Sequence, residues 1–205
     1  MKAKKLLALA ALLVLPSAAF ANEQGHIDGY YIPSATIEID DGGPDIDGDG
    51  FGVKGMIPLG MTRSFFLTGE YQSNSYDDPD IDLDQLRLGG GWQTPLATGS
   101  LGVYGEYINI DLDGSEADGF GVHGRLSFPV APMVNIYGQV GYVQVEDDDN
   151  AEFGGMEFLV GASVDFTPNI GAFIDFRQTN LDADDDSFAA DMTLQDVRLG
   201  VRVLF

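Results

Sequence analysis

No cysteine occurs among the 205 residues, so disulfides and cysteine-based metal sites are excluded as means of holding the fold together. Basic charge is scarce as well: 10 lysines and arginines stand against 33 aspartates and glutamates, a formal net charge of −23. That sign excludes nucleic acid as a partner, because phosphate backbones are bound by the opposite charge. Histidine occurs only twice, at His26 and His123, which leaves little room for imidazole catalysis. Long apolar runs are also missing. The one extended run, Leu6 to Leu15, is half the roughly 20 residues that a membrane-spanning helix needs.

That run has a different explanation. Lys2, Lys4 and Lys5 precede it and Ala19-Phe20-Ala21 follows it, the order of a secretory signal peptide with a small-residue cleavage site. The expected division is therefore a signal peptide over residues 1–21 and one domain over residues 22–205. An exported domain without disulfides needs a large core or a closed hydrogen-bonded sheet.

Acidic residues recur in clusters: Asp40 to Asp49, Asp77 to Asp84, Asp111 to Asp118, Glu146 to Glu152 and Asp182 to Asp186. Their starts are about 35 residues apart, a repeat that runs through the whole domain. Between them fall short, nearly uncharged breaks rich in proline and glycine, at Pro58 to Ser64, Pro95 to Ser100, Pro129 to Met133 and Thr167 to Ile170. Long acidic connections alternating with tight turns divide the chain into ten segments, each of which alternates with the two-residue period of a strand. In the last, Leu199, Val201, Val203 and Phe205 share one face, while Arg198 and Arg202 share the other.

A soluble sandwich would have to cover its outward aromatics, and no helical segment is there to do so. Turning the apolar faces to lipid and the charged faces into a closed lumen removes the difficulty. The fold class expected is thus all-β, a transmembrane antiparallel up-and-down β-barrel of ten strands, with eight as the alternative. Lys54, Glu70, Arg87, Glu106, Arg125, Asp165, Asp175, Arg177, Arg198 and Arg202 become lumen charges, near balance. Ten strands stand closer to barrels filled by side chains than to wide porins.

The alternating last strand with its terminal aromatic, Phe205 after Val203, Val201 and Leu199, resembles the small outer-membrane barrels of Gram-negative bacteria, the OmpA/OmpX-like group. The resemblance implies that those residues are the signal read by the outer-membrane assembly machinery. It also implies periplasmic chaperones on the way, periplasmic termini, and a final place among outer-membrane lipid and lipopolysaccharide. It does not imply an oligomeric state. Eight-strand members have fewer hairpins, and some carry a peptidoglycan-binding domain after the barrel. The ten-strand omptin proteases activate water with an Asp-x-His pair facing an Asp pair, and neither histidine here has those neighbours. A non-enzymatic barrel is expected.

The stretch "DIDGDG" from Asp45 to Gly50 matches the first half of an EF-hand loop, but Met56 stands where a bidentate glutamate belongs. No resident cofactor is expected. Weak Ca²⁺ or Mg²⁺ binding by several acidic clusters together remains, through Asp45, Asp47, Asp49, Asp77, Asp78, Asp80, Asp147, Asp148, Asp149, Asp184, Asp185 and Asp186. The functional expectation is a surface protein whose five acidic loops meet ions, lipopolysaccharide or a partner, with a narrow cation-preferring channel as the alternative.

Overall fold

The structure is a computed structural model, and it describes residues 24–39, 45–77, 80–147, 151–183 and 191–205. The strands are β1 (His26–Ile39), β2 (Ile46–Leu59), β3 (Phe65–Asp77), β4 (Asp80–Pro95), β5 (Ser100–Leu112), β6 (Ser115–Ala131), β7 (Val134–Asp147), β8 (Glu152–Thr167), β9 (Ile170–Ala183) and β10 (Met192–Leu204). Each pairs antiparallel with its sequence neighbours, and β1 pairs with β10 to close the barrel. Closure leaves no edge with unpaired backbone groups, which hydrocarbon would not tolerate. The expected signal peptide lies outside the described residues.

Alternation sorts the side chains as the two-residue period requires. Leu67, Leu88, Val103, Val122, Val140, Val160, Ile174, Leu199 and Val201 stand exposed on the outer wall, while Gln72, Arg87, Glu106, His123, Asp175 and Arg198 are buried inside. On β6 the outward apolar run extends from Phe120 to Val130, ten residue steps. At 3.3 Å per residue and a tilt near 40° that covers about 25 Å, the height of the apolar band of outer-membrane barrels. Phe65, Trp92 and Phe166 mark its short-turn edge, and Phe51, Tyr107, Phe120 and Tyr142 mark the other.

Above this second girdle the sense of the pattern inverts. Tyr107 faces out, but its successors Ile108 and Ile110 face in while Asn109 and Asp111 face out. The same exchange places Leu83 inside between Asp82 and Asp84, Val145 between Gln144 and Glu146, and Leu181 between Asn180 and Asp182. Between the two girdles the wall is apolar outside and charged inside. Beyond the second the wall is acidic outside and apolar inside, the arrangement of a barrel standing in water.

On β1 this exchange needs a device. Asp28, Tyr30 and Ile32 point inward, and so do Ala35 and Ile37, which a strict alternation would turn outward. Both ladders of β1 slip by one residue around Pro33, a bulge that absorbs the extra position. Proline suits it because it has no N–H to leave unpaired.

Most of the acid therefore lies in strands rather than in the expected long loops. Asp47, Asp49, Asp77, Asp82, Asp84, Asp111, Glu116, Asp118, Glu146, Asp147, Glu152 and Asp182 are all strand residues. Strands β5 and β6 are joined by Asp113 and Gly114 alone, with φ of 51° and 91°. Two positive-φ residues form the tight hairpin whose twist matches the strands, and the Gly114 N–H donates to Asp111 Oδ1 at 2.8 Å. Sequence reading mistook these segments because aspartate and glycine disfavour strands on average, whereas here the acidic side chains occupy a solvated outer face.

Candidate functional site: the charged lumen

The middle of the barrel is crossed by two linked groups of ion pairs. In one, Arg198 reaches Glu70 with Nη1 (2.8 Å) and Asp175 with Nε (2.6 Å). Lys54 Nζ meets the other oxygen of Asp175 at 2.7 Å, and Arg177 joins Glu70 (3.3 Å) to Asp196 (3.1 Å). The Tyr30 hydroxyl also donates to Glu70. In the other group, Arg87 holds Glu106 at 2.9 Å and Glu157 at 2.7 Å. Arginine serves here because its fixed fork donates to two carboxylates at once. These charges come from β2, β3, β4, β5, β8, β9 and β10, so the network ties the wall together across the lumen.

His123 belongs to the second group. Its ring stacks on Tyr104 (centroids 4.8 Å apart), and Gln139 Nε2 lies 3.3 Å from its Nδ1. Nε2 lies 3.0 Å from Glu106 Oε1, out of line for a hydrogen bond. His123, Glu106 and Glu157 bring ligand atoms within 4.8 Å of one another, a set that suits a metal ion. Arg87 already bridges both carboxylates, so its guanidinium supplies the positive charge that such an ion would bring.

Toward the acidic rim the lumen turns apolar. Tyr30, Ile32, Ala35, Ile37, Tyr76, Leu83 and Phe173 form one buried cluster, and Ile108, Val143, Val145 and Leu181 another. Ile110 and Met192 pack against both and join them. Toward the short turns the lumen opens instead. A cavity of about 530 Å³ is lined by Arg125, Tyr137, Ser163, Asp165 and Arg202, among others. Arg125 lies over the Tyr137 ring at 4.7 Å. Arg202 grips Asp28 with two bonds, Nε to Oδ1 at 2.9 Å and Nη2 to Oδ2 at 2.7 Å.

All ten sequence-derived lumen charges thus face inward, although they do not form one set: Arg125, Asp165 and Arg202 stand at the open end, the rest in the ion-pair layers. Sequence reasoning overlooked Asp28, Tyr30 and the apolar plug. A usable signal was present, since Tyr107-Ile108 and Tyr142-Val143 put two large apolar residues side by side where strict alternation allows one.

At the barrel's foot, the Phe205 N–H donates to the Gly25 carbonyl at 2.9 Å. The ring lies so close over Gly25 that a Cβ there would come within 2.5 Å of it. Val203, Val201 and Leu199 stand exposed on the outer wall above. Of the acidic positions considered for cations, Asp47 accepts from Thr36 (3.2 Å) and Asp49 from the Tyr31 hydroxyl (3.0 Å), alternate residues on the outer face of β2 that do not converge. Asp45 immediately precedes that strand, Asp77 and Asp80 are the last backbone pair of the β3–β4 ladder, and Asp147 Oδ1 accepts from the Ala151 N–H at 2.8 Å. Asp78, Asp148, Asp149, Asp184, Asp185 and Asp186 lie outside the described residues.

Two solved structures with similar architecture are an outer membrane channel from Pseudomonas putida F1 and the outer membrane protease OmpT from Escherichia coli. The first has a TM-score of 0.55 and 11% identity over 93% of this chain and 98% of that one. The second has a TM-score of 0.50 and 11% identity over 92% of this chain and 99% of that one. Such identities concern the fold alone. No curated protein sequence matches. Residues 7–205 match the family described as outer membrane protein beta-barrel domain, and the chain belongs to that family of bacterial outer-membrane proteins.

Proposed function

We propose that the protein is a non-enzymatic, non-conducting outer-membrane barrel whose acidic rim is its working surface, meeting ions, lipopolysaccharide or a partner. The observation that carries this reading is the apolar plug. Ile32, Ala35 and Ile108 have no exposed surface, and Val143 and Leu181 are 2% exposed. An ion passing through would shed its water among side chains that offer nothing in return. Below them the charges are spent on one another, as in a lumen filled by side chains rather than a channel. The same burial argues against catalysis, because His123 is 1% exposed and Glu106 is engaged by Arg87.

The test is planar-bilayer recording with purified protein. No steady conductance is expected, and stepwise, cation-selective openings would establish the channel reading in its place.

In this reading residues 1–21 are removed on export, the short turns and both termini face the periplasm, and the acidic belt stands outside. The belt begins at the outer girdle, where Tyr31 donates to Asp49 and Tyr107 to Asp118. That is the level of lipid headgroups, since amphipathic rings settle there. Divalent cations would join these carboxylates to lipopolysaccharide phosphates and relieve repulsion around the rim. In vesicles containing lipopolysaccharide, millimolar Mg²⁺ should raise the thermal midpoint by about 2–4 °C, the effect of about 1 kcal/mol in a chain of this size. An equal rise with sodium at matched ionic strength would reduce the belt to a solubilising surface.

Assembly is read at the other end. Phe205→Ala should lower the amount inserted in cells well below wild type while leaving the unfolding midpoint of refolded protein nearly unchanged, because the ring lies on the outer wall and not in the core. Quantitative blotting of outer-membrane fractions checks this, and undiminished insertion would contradict it.

A further inference from the structure

Most inward glycines are filled by their neighbours. A Cβ at Gly91 would come within 2.2 Å of the Val103 carbonyl, and one at Gly121 within 2.5 Å of His123 Nε2. Gly102 differs from every other glycine on the described inner wall. Its Cβ would meet nothing nearer than the Trp92 carbonyl at 3.7 Å, with Phe66 Cε1 at 4.0 Å. The space left there is a chamber of about 70 Å³. Ser100, Arg125 and Tyr137 line both this chamber and the 530 Å³ cavity below, so the two form one cup that opens toward the short turns.

The walls say what such a cup holds. Most of the amide and hydroxyl groups around the chamber are bonded to protein: Tyr104 donates to Gln139 (2.8 Å), Gln139 to Glu157 (3.3 Å), Gln93 to the Arg63 carbonyl (3.0 Å) and Thr68 to the Gly55 carbonyl (3.2 Å). What they present to a guest is ring surface, with Phe66 and Tyr104 packed edge to face at 5.9 Å. Beside it lies the Arg125 guanidinium, oriented by its stack on Tyr137, whose hydroxyl is fixed on Asp175 at 3.0 Å. Flat rings attract a flat ring, and an oriented guanidinium attracts a carboxylate.

We propose that this cup binds a small aromatic carboxylate, with its ring over Gly102 against the Phe66–Tyr104 pair and its carboxylate on Arg125. The site needs no open pore, and only its assignment to the periplasmic side rests on the orientation proposed above. Gly102 then has a stated purpose, which is to keep the ring's place empty.

Benzoate is the probe, titrated calorimetrically into full-length protein refolded in detergent, with acetate (charge without ring) and benzyl alcohol (ring without charge) as comparators. Benzoate should bind with a dissociation constant below about 1 mM, and each comparator at least tenfold more weakly. Gly102→Leu, which fills the chamber without a backbone clash, should abolish binding, and Arg125→Gln should weaken it at least tenfold. Altered gel mobility before and after heating reports whether each variant folds. Equal binding of benzoate and either comparator, or undiminished binding by folded Gly102→Leu, would overturn the proposal. Should neither variant fold, the comparison of the three probes on the wild-type barrel still decides. Conductance in bilayers would overturn the closed-barrel reading and leave this result untouched.

Discussion

Arg198→Ala should lower the unfolding free energy by about 3–5 kcal/mol, the range for removing one partner of a buried ion pair. The arginine has no exposed surface, and both Glu70 and Asp175 depend on it. Truncation leaves two buried carboxylates without the guanidinium that bridged them. Lys54 on Asp175 and Arg177 on Glu70 remain, so the loss should fall toward the lower end of that range. Urea titration of protein refolded in lipid vesicles gives the number. A loss under about 1 kcal/mol would mean that lumen water solvates the abandoned carboxylates, since exposed pairs contribute no more than that.

The inversion of polarity along each strand predicts an equally large contrast on the outer wall. Val160 is 61% exposed in the apolar band, opposite Gly138 on one side and Phe176 on the other. Gln144 also faces outward, but above Tyr142, where it donates to Glu152 at 3.3 Å. Lysine at Val160 should cost about 2–4 kcal/mol and lysine at Gln144 about 0–1, because the penalty for a lipid-facing cation falls from the bilayer midplane to the interface. The comparison is made by equilibrium unfolding from phospholipid vesicles. Equal penalties would show that the membrane boundary does not follow the outer girdle.

Much of this architecture was legible in the sequence. The period of the acidic clusters set the number of strands, and the alternation of β10 gave its inward and outward residues correctly as far as Phe205. Charges inside the membrane-level lumen were legible for the same reason, since Glu70, Arg87 or Asp175 between apolar neighbours has only one face to take. Two features were hidden. Aspartate carries turn propensity whether or not the strand continues, so Asp82, Asp84 and Asp118 read as loop. Strand Asp80–Pro95 nevertheless continues through Asp82 and Asp84, held by pairing with Ser75 and Ser73 across the ladder. The plug was hidden because alternation alone does not tell which face looks inward. Only the surrounding medium does, and the change from apolar to polar outer face between Tyr142 and Gln144 leaves the two-residue period unchanged.

The seam between β1 and β10 has a kinetic meaning. Every other ladder joins neighbouring segments, through connections as short as Asp113-Gly114, whereas the Arg202–Asp28 pair is 174 residues apart along the chain. Loop-closure entropy rises by about 0.6 kcal/mol for each doubling of length. Closing this seam in a free chain costs about 2 kcal/mol more than closing a hairpin of 20 residues. It is therefore the contact to form last, after the other nine ladders have brought its two halves near each other. The twin bonds of Arg202 to Asp28 and the Phe205 to Gly25 hydrogen bond stand at the foot of that seam, where they act as its latch. Interactions that form only after the rate-limiting step do little to speed folding, but they slow the reverse opening. The ion pair and the terminal backbone bond would then govern how long a finished barrel stays shut, and the hairpins how quickly it is made.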